Sequence, residues 1–250
     1  MKGIFRAFVQ RGPAALSINT SSNRPYADEE LDDGFRYAYR MGSIDQPDNR
    51  ALRAAHRLSV PIVYFVSTRP GSYEALYPCF VTSDDPISGS VIVSPGRRVG
   101  AIDELELVPI FDELERRYAV RETRVLLHQA RFRARVLLAY GDCCTICRLK
   151  ETRLLDAAHI TPDAAPEAAP VISNGLSLCS IHHRAFDQNL VGVSPDYLVH
   201  VSRRLLEEDD GPMLDLLKAS HRAPILVPRR TAWQPDRVQL AARFELFQSS

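Results

Sequence analysis

The chain has 250 residues, 45% of them hydrophobic and 25% charged, and its 31 basic residues are balanced by 31 acidic ones. This composition is too apolar for a disordered or collagen-like chain and fits two globular domains. No apolar run approaches the roughly 20 residues that span a bilayer, and the N-terminal stretch MKGIFRAFVQRGPAA lacks a secretory core, so no membrane association and a cytoplasmic location are expected.

Residues 1 to about 125 read mostly as strand. Phe35–Arg40, Pro61–Ser67, Tyr77–Thr82 and Val91–Ser94 are short, rich in Tyr, Phe, Val and Ile, and bounded by Pro, Gly, Asp or Ser. Between the first two, Asn49–Leu58 reads as a helix with a capping-type Asn and with Leu52 and Ala55 on one stripe. Short strands with an inserted helix predict a curved sheet or barrel in an α+β chain. The segment YAVRETRVLL, residues 118–127, is expected as a closing strand, and HQARFRARVLLAY after it has helical spacing at Phe132, Val136 and Tyr140. The expected domains are therefore 1–127 and 128–250. In the tail, Met213–Ala219 and Asp236–Phe247 are expected helices, and Arg229 and Arg230 read as solvent-exposed, with phosphate contact as the alternative.

Charge is uneven along the chain. From Arg116 to Lys150 there are nine Lys or Arg and two acids, so Arg131, Arg133 and Arg135 are expected to face DNA phosphates. Four of the five cysteines fall close together. Cys144 and Cys147 form CTIC, and Cys179 opens CSIH, which ends at His182. Two ligand pairs, each separated by two residues, are the pattern with which two knuckles place four donors on one tetrahedral ion, so a structural Zn2+ is expected at Cys144, Cys147, Cys179 and His182. Cys143 is an alternative to Cys144; the spacing favours Cys144.

Between the knuckles lie LLDAAHITP and ISNGLSLC, and HHRAFD overlaps the end of the second. The order of His159, Asn174 and His183 around these knuckles resembles the HNH nucleases over about 60 residues. The resemblance implies a strand–strand–helix (ββα) unit holding one catalytic metal and hydrolysing phosphodiesters. That chemistry needs a base for water and a cation for the phosphate and the leaving oxygen. His159, at the end of an apolar strand, is the implied general base. Asn174 would bind backbone and hold the histidine strand in register, although an Asn-Gly pair alone reads as a turn. His183 would bind the cation, and Asp187, four residues further on the same helix face, would add a carboxylate. Many family members carry a metal-binding His or Asp directly before the base, where this chain has Ala158. Asp156 is the nearest substitute, but strand parity puts it on the opposite face from His159 unless the strand bends, leaving it open between metal ligand and support. The catalytic divalent cation that the resemblance implies is Mg2+ or Mn2+, with a transition ion as the alternative.

The N-terminal part resembles the SRA-like, PUA-related domains fused to HNH units in modification-dependent restriction endonucleases, through YADEELDDGFRYAYR, DNRALRAA, PIVYF, YPCFVTSDDP and the junction HQARFRARVLLAYGDCCTIC. The resemblance implies an SRA-like curved sheet or barrel with a helix, followed by an HNH domain. It also implies that the partner is double-stranded DNA with a modified cytosine, 5-methylcytosine or 5-hydroxymethylcytosine, flipped into an aromatic pocket. Tyr26, Tyr37, Tyr39, Tyr64 and Tyr73 are candidates to stack on the base, and Asp28 and Asp45 to accept its amino proton. Core packing is the competing role for each tyrosine. Two-strand cleavage with one site per chain implies a homodimer. The alternatives are a non-cleaving reader of modified DNA and an HNH nuclease directed to unmodified sequence or RNA.

Overall fold

The computed structural model describes residues 3–20, 29–99, 106–161, 171–209 and 211–250. Tyr26 and Asp28 lie outside them. The chain divides into two units, Met1–Ala130 and Arg131–Ser250.

The first unit is a curled, eight-stranded sheet. Its strands are β1 (Ile4–Phe5), β2 (Ser17–Asn19), β3 (Glu29–Leu31), β4 (Gly34–Ala38), β5 (Ile62–Arg69), β6 (Ser72–Asp85), β7 (Ser90–Val99) and β8 (Glu106–Pro109). They pair in the order β1-β2-β5-β6-β7-β4-β3, with β8 also on β7. Only the β2–β5 pairing is parallel. Period-two patterning sets the buried face: Ile62, Tyr64 and Val66 of β5 point inward on alternate positions, and Phe35 and Tyr37 of β4 join them. Register shifts between Val81 and Ser83 on β6, and at both ends of β5, bend the sheet as inserted residues do.

Helix α1 (Pro47–Arg57) buries Ala51, Leu52, Ala54 and Ala55. It begins two residues earlier than expected, because Pro47 occupies the first turn, where a missing N–H costs nothing. Asn49 is therefore not its cap. Fully buried, Asn49 accepts a hydrogen bond from the Arg40 amide and donates to the carbonyls of Arg40 and Ser43, fastening the preceding loop.

The expected closing strand at 118–127 is helix. It forms part of α2 (Glu113–Ala139). Val120, Thr123 and Leu127 are its buried residues in this stretch, a helical spacing that alternation in the β-rich sequence obscures. Its start is marked by Asp112, whose carboxylate accepts from the Glu115 amide, the first half of an Asp-x-x-Glu capping pattern.

In the second unit, β9 (Leu155–His159) and β10 (Gly175–Cys179) form an antiparallel pair, followed directly by α3 (Ser180–Asp187). A second pair, β11 (Val191–Val193) with β12 (Val199–Val201), then leads to α4 (Arg203–Glu207), α5 (Pro212–Lys218) and α6 (Arg237–Gln248). The last two match the expected tail helices to within a residue or two. Asp236 caps α6 by accepting from the amides of Val238 and Gln239. The core gathers Phe132, Val136, Leu155, Leu176, Leu178, Phe186, Val191 and Leu240.

Gly175 carries a packing constraint. A Cβ there would lie 2.5 Å from Val136 Cγ2 and 2.9 Å from Phe132 Cζ, so only glycine lets β10 approach α2 this closely. The Tyr140 hydroxyl donates to its carbonyl at 3.1 Å. Gly175→Ala is expected to cost about 1–3 kcal/mol through overpacking, read as a lowered midpoint in chemical denaturation.

Candidate active site

Register positions the first histidine. His159 ends β9 opposite Gly175, and its ring lies flat on Phe132, with centroids 4.0 Å apart and planes 7° from parallel. Phe132 is itself buried, so the stack fixes the imidazole plane while leaving its nitrogens at the ring edge.

Asn174 is fully buried beside this pair. Its side-chain oxygen accepts from the Thr161 amide at 2.8 Å, its NH2 donates to the Thr161 carbonyl at 3.2 Å, and its backbone carbonyl accepts from Ile160 at 2.9 Å. These three bonds continue the β9–β10 ladder beyond His159 where a turn would otherwise end it.

His183, on α3, lies between two carboxylates. Its Nδ1 is 3.6 Å from Asp156 and its Nε2 is 3.5 Å from Asp187. The acids thus meet opposite edges of one ring. Asp156 reaches His183 from β9 despite strand parity, because alternation breaks there: Ala157 and Ala158 are both buried, and Asp156 accepts from the Ala157 amide. The neighbouring His183 ring holds the Asp156 carboxyl below its ordinary range; Asp156, with Asp187 adding, raises His183. Arg133 also approaches Asp156, at 3.4 Å, and donates to the carbonyls of Thr152 and Leu155. Its guanidinium is thus committed to supporting β9. Arg135 is exposed, and Arg131 is partly buried.

Next to His183 in sequence, His182 turns the other way. The sulfurs of Cys144, Cys147 and Cys179 and one nitrogen of His182 all lie within 4.8 Å of one another. Individual separations are 3.1 Å for Cys179–His182, 3.8 Å for Cys144–His182 and 3.9 Å for Cys147–Cys179. A tetrahedral ion with metal–sulfur bonds of about 2.3 Å has sulfur–sulfur edges of about 3.8 Å, so the donor set fits one metal ion. The cysteines are free thiols rather than disulfides. Hydrogen bonding from Cys179 and His182 draws the Cys144 thiol down to about 3, while Cys179 is pushed up: three sulfurs share protons that a dication would displace. Cys143 stands apart, with its sulfur on the Cys144 carbonyl, so Cys144 is the residue in the cluster.

Of the tyrosines, Tyr37 and Tyr64 are in the core of the first unit. Their rings meet edge to face at 6.3 Å, and the Tyr37 hydroxyl donates to the carbonyls of Gly3 and Asn19. Tyr73 is partly buried at the start of β6. Tyr39 is also partly buried, and its hydroxyl donates to Asp84, which accepts from Arg53 at 3.0 Å; Arg53 lies 4.0 Å from Asp45. Burial and the Asp84 carboxylate push the Tyr39 hydroxyl up, so it stays a donor. Asp84 and Arg53 carry no sequence signal of this role, because the link joins α1, the residue that follows β4, and β6, which are distant in sequence. Phe132 is visible in the sequence only as one apolar position on a helix.

Residues 144–194 match the HNH endonuclease family. The segment is an HNH endonuclease domain, and the chain is a hydrolytic nuclease. No curated protein matches the chain. A solved structure titled "Modification dependent TagI restriction endonuclease" aligns with a TM-score of 0.34 and 16% identity, covering 93% of this chain and 81% of that chain. No helix of the described residues is long and apolar enough to cross a membrane.

Purified protein is expected to hold one tightly bound metal ion at the four-donor cluster, measured by elemental mass spectrometry. Cys179→Ser should abolish that stoichiometry and unfold the second unit. Apparent binding energies of such structural sites are about 10 kcal/mol or more, comparable to the stability of a whole domain.

Proposed function

We propose that the protein is a modification-dependent DNA endonuclease whose second unit hydrolyses phosphodiester bonds and whose first unit recognises modified cytosine. The observation that carries the nuclease half is the clamp of Asn174 on Thr161 beside the stacked His159, within the HNH segment. His159 acts as general base, accepting the proton of the attacking water, with its plane held by Phe132. Asn174 is a positioning residue that holds the end of the His159 strand. His183, with Asp156 and Asp187, would hold a divalent cation, Mg2+ or Mn2+, which when bound polarises the phosphate and stabilises the leaving oxygen. An imidazole that gives one nitrogen to a cation keeps the other as a donor, so one of the two carboxylates would also orient the His183 ring. Zinc suits the Cys144, Cys147, Cys179 and His182 cluster, whose donors are thiolates and an imidazole.

Support for the modified-base half is the sequence resemblance of the first unit. With Tyr37 and Tyr64 packed in the core, the described residues left for a base pocket are Tyr39, Tyr73 and Asp45, of which Tyr39 and Asp45 are linked through Arg53 and Asp84. Base flipping by this unit and action as a homodimer belong to the same proposal. The burial of that tyrosine pair favours one second reading, an HNH nuclease directed to unmodified sequence.

One plasmid prepared fully cytosine-methylated and unmodified, incubated with Mg2+ or Mn2+, tests both halves. Cutting confined to the methylated form, and lost in His159→Ala, is the expected outcome. Equal cutting of both forms would support the second reading for methylcytosine. Cutting retained by His159→Ala would remove that residue as base. Tyr37→Phe should cost about 1 kcal/mol of stability and leave the preference between the two plasmids unchanged, as fits a core residue.

A further inference from the structure

The second unit contains a cavity of about 680 Å³ that none of the proposed hydrolytic residues lines. Its walls carry four cationic side chains, Arg148, Lys150, Arg229 and Arg230, and no acidic one. None of the four forms an ion pair with a described residue. Like charges gathered around one concavity repel, an arrangement that an anion relieves. The rest of the lining includes apolar residues such as Leu138, Leu226 and Val227.

The fold builds this arrangement from two distant segments. The first knuckle closes with the Cys144 amide donating to Leu149 and the Arg148 amide to Cys144, which sets Arg148 in the left-handed region at φ 65°. Thr145 then ties the knuckle to the tail: its carbonyl accepts from the Leu226 amide at 2.8 Å, and its hydroxyl donates to the Leu226 carbonyl at 2.5 Å. The bonds bring Arg229 and Arg230, three and four residues beyond Leu226, to the same cavity as Arg148 and Lys150. Arg230 is oriented in advance, its guanidinium 4.4 Å above the Trp233 ring. Since that face of Trp233 is taken, the site is built to present guanidinium groups rather than to stack a base. Planar forks beside an ammonium suit phosphate oxygens, and the apolar part of the lining suits deoxyribose.

We infer that this cavity is an anchor for the sugar–phosphate backbone of substrate DNA, distinct from the place of hydrolysis. The inference deepens the nuclease reading and rests on it for the identity of the polyanion. It assigns affinity to the knuckle and the tail, and chemistry to β9, β10 and α3.

Trp233 is the only tryptophan of the chain, so its emission reports on the site directly. The full-length His159→Ala protein is titrated with an unlabelled 20-base-pair duplex while Trp emission is followed, and with the same duplex carrying fluorescein for anisotropy, over a salt series. Emission is expected to change with the same midpoint as anisotropy. The double variant Arg229→Gln/Arg230→Gln should weaken binding at least tenfold and reduce the slope of log Kd against log salt by about two, near one for each phosphate no longer neutralised. Lys150→Gln, away from the tail, should reduce it by about one. In the otherwise wild-type protein, the double variant should raise KM and leave kcat within about twofold, with metal content unchanged.

If DNA binds but emission, Kd and slope do not respond to either variant, the anchor is refuted while cleavage by the wild type keeps the nuclease reading. Absence of duplex binding, or a variant-sensitive response to duplex RNA but none to DNA, also overturns it. A variant-sensitive response in a protein that cleaves no DNA would uphold the anchor and defeat the nuclease reading.

Discussion

The second unit depends on the convergence of four soft donors from two separated turns. Its ββα segment is small, and the donors Cys144, Cys147, Cys179 and His182 draw its two turns together beside the apolar core. The second pair of donors spans the junction of β10 and α3, so the cluster also sets how the helix leaves the strand. His183 follows His182 by one residue, about 100° around the helix, and is thereby turned toward Asp156 while its neighbour faces the sulfurs. The first pair lies in the turn that carries Arg148 and Lys150, so the same cluster orients residues on both sides of it.

Backbone satisfaction organises the remainder of the site. A strand that ends at a half-buried histidine would leave unpaired amides beyond it, and Asn174 supplies the missing partner with both ends of its amide. This is a different use of Asn-Gly from a hairpin turn. Asn174 has its side chain bonded to Thr161, and Gly175 is extended, present because Phe132 and Val136 leave no room for a Cβ. The helix that crowds Gly175 also provides the ring under His159, so packing and chemistry share one contact surface.

The first unit follows another logic. Its aromatic strand residues divide between a core pair, Tyr37 and Tyr64, whose hydroxyl and ring geometry are satisfied within the fold, and Tyr39, which stands in a charged link of Asp84 and Arg53. Tyr37 and Tyr39 have the two-residue spacing that shares a strand face, but β4 ends at Ala38, so Tyr39 lies just beyond the strand and is only partly buried. A buried phenol bonded to carbonyls is a packing element; one held by a carboxylate at the surface is a polar feature that a ligand can meet.

The four-donor cluster and the main strands β4 to β7 were legible because their signals are local. A Cys-x-x-Cys turn, a matching Cys-x-x-His and runs of β-branched and aromatic residues depend on neighbours a few positions apart. The short strands β1, β2, β3 and β8 carry too few residues for such a pattern, and residues 118–127 read as strand because arginines interrupt a helical stripe made of only three buried positions. The sequence by itself determined the composition of the chemistry: which donors, which histidines and which asparagine are present, and at what spacing. Only the tertiary structure decided that Asp156 meets His183, that Arg133 braces β9, that Tyr37 is core, and that four cations surround one cavity. Each of these joins segments far apart in the chain, and no local rule of helix or strand periodicity carries information about which distant segment will pack against it.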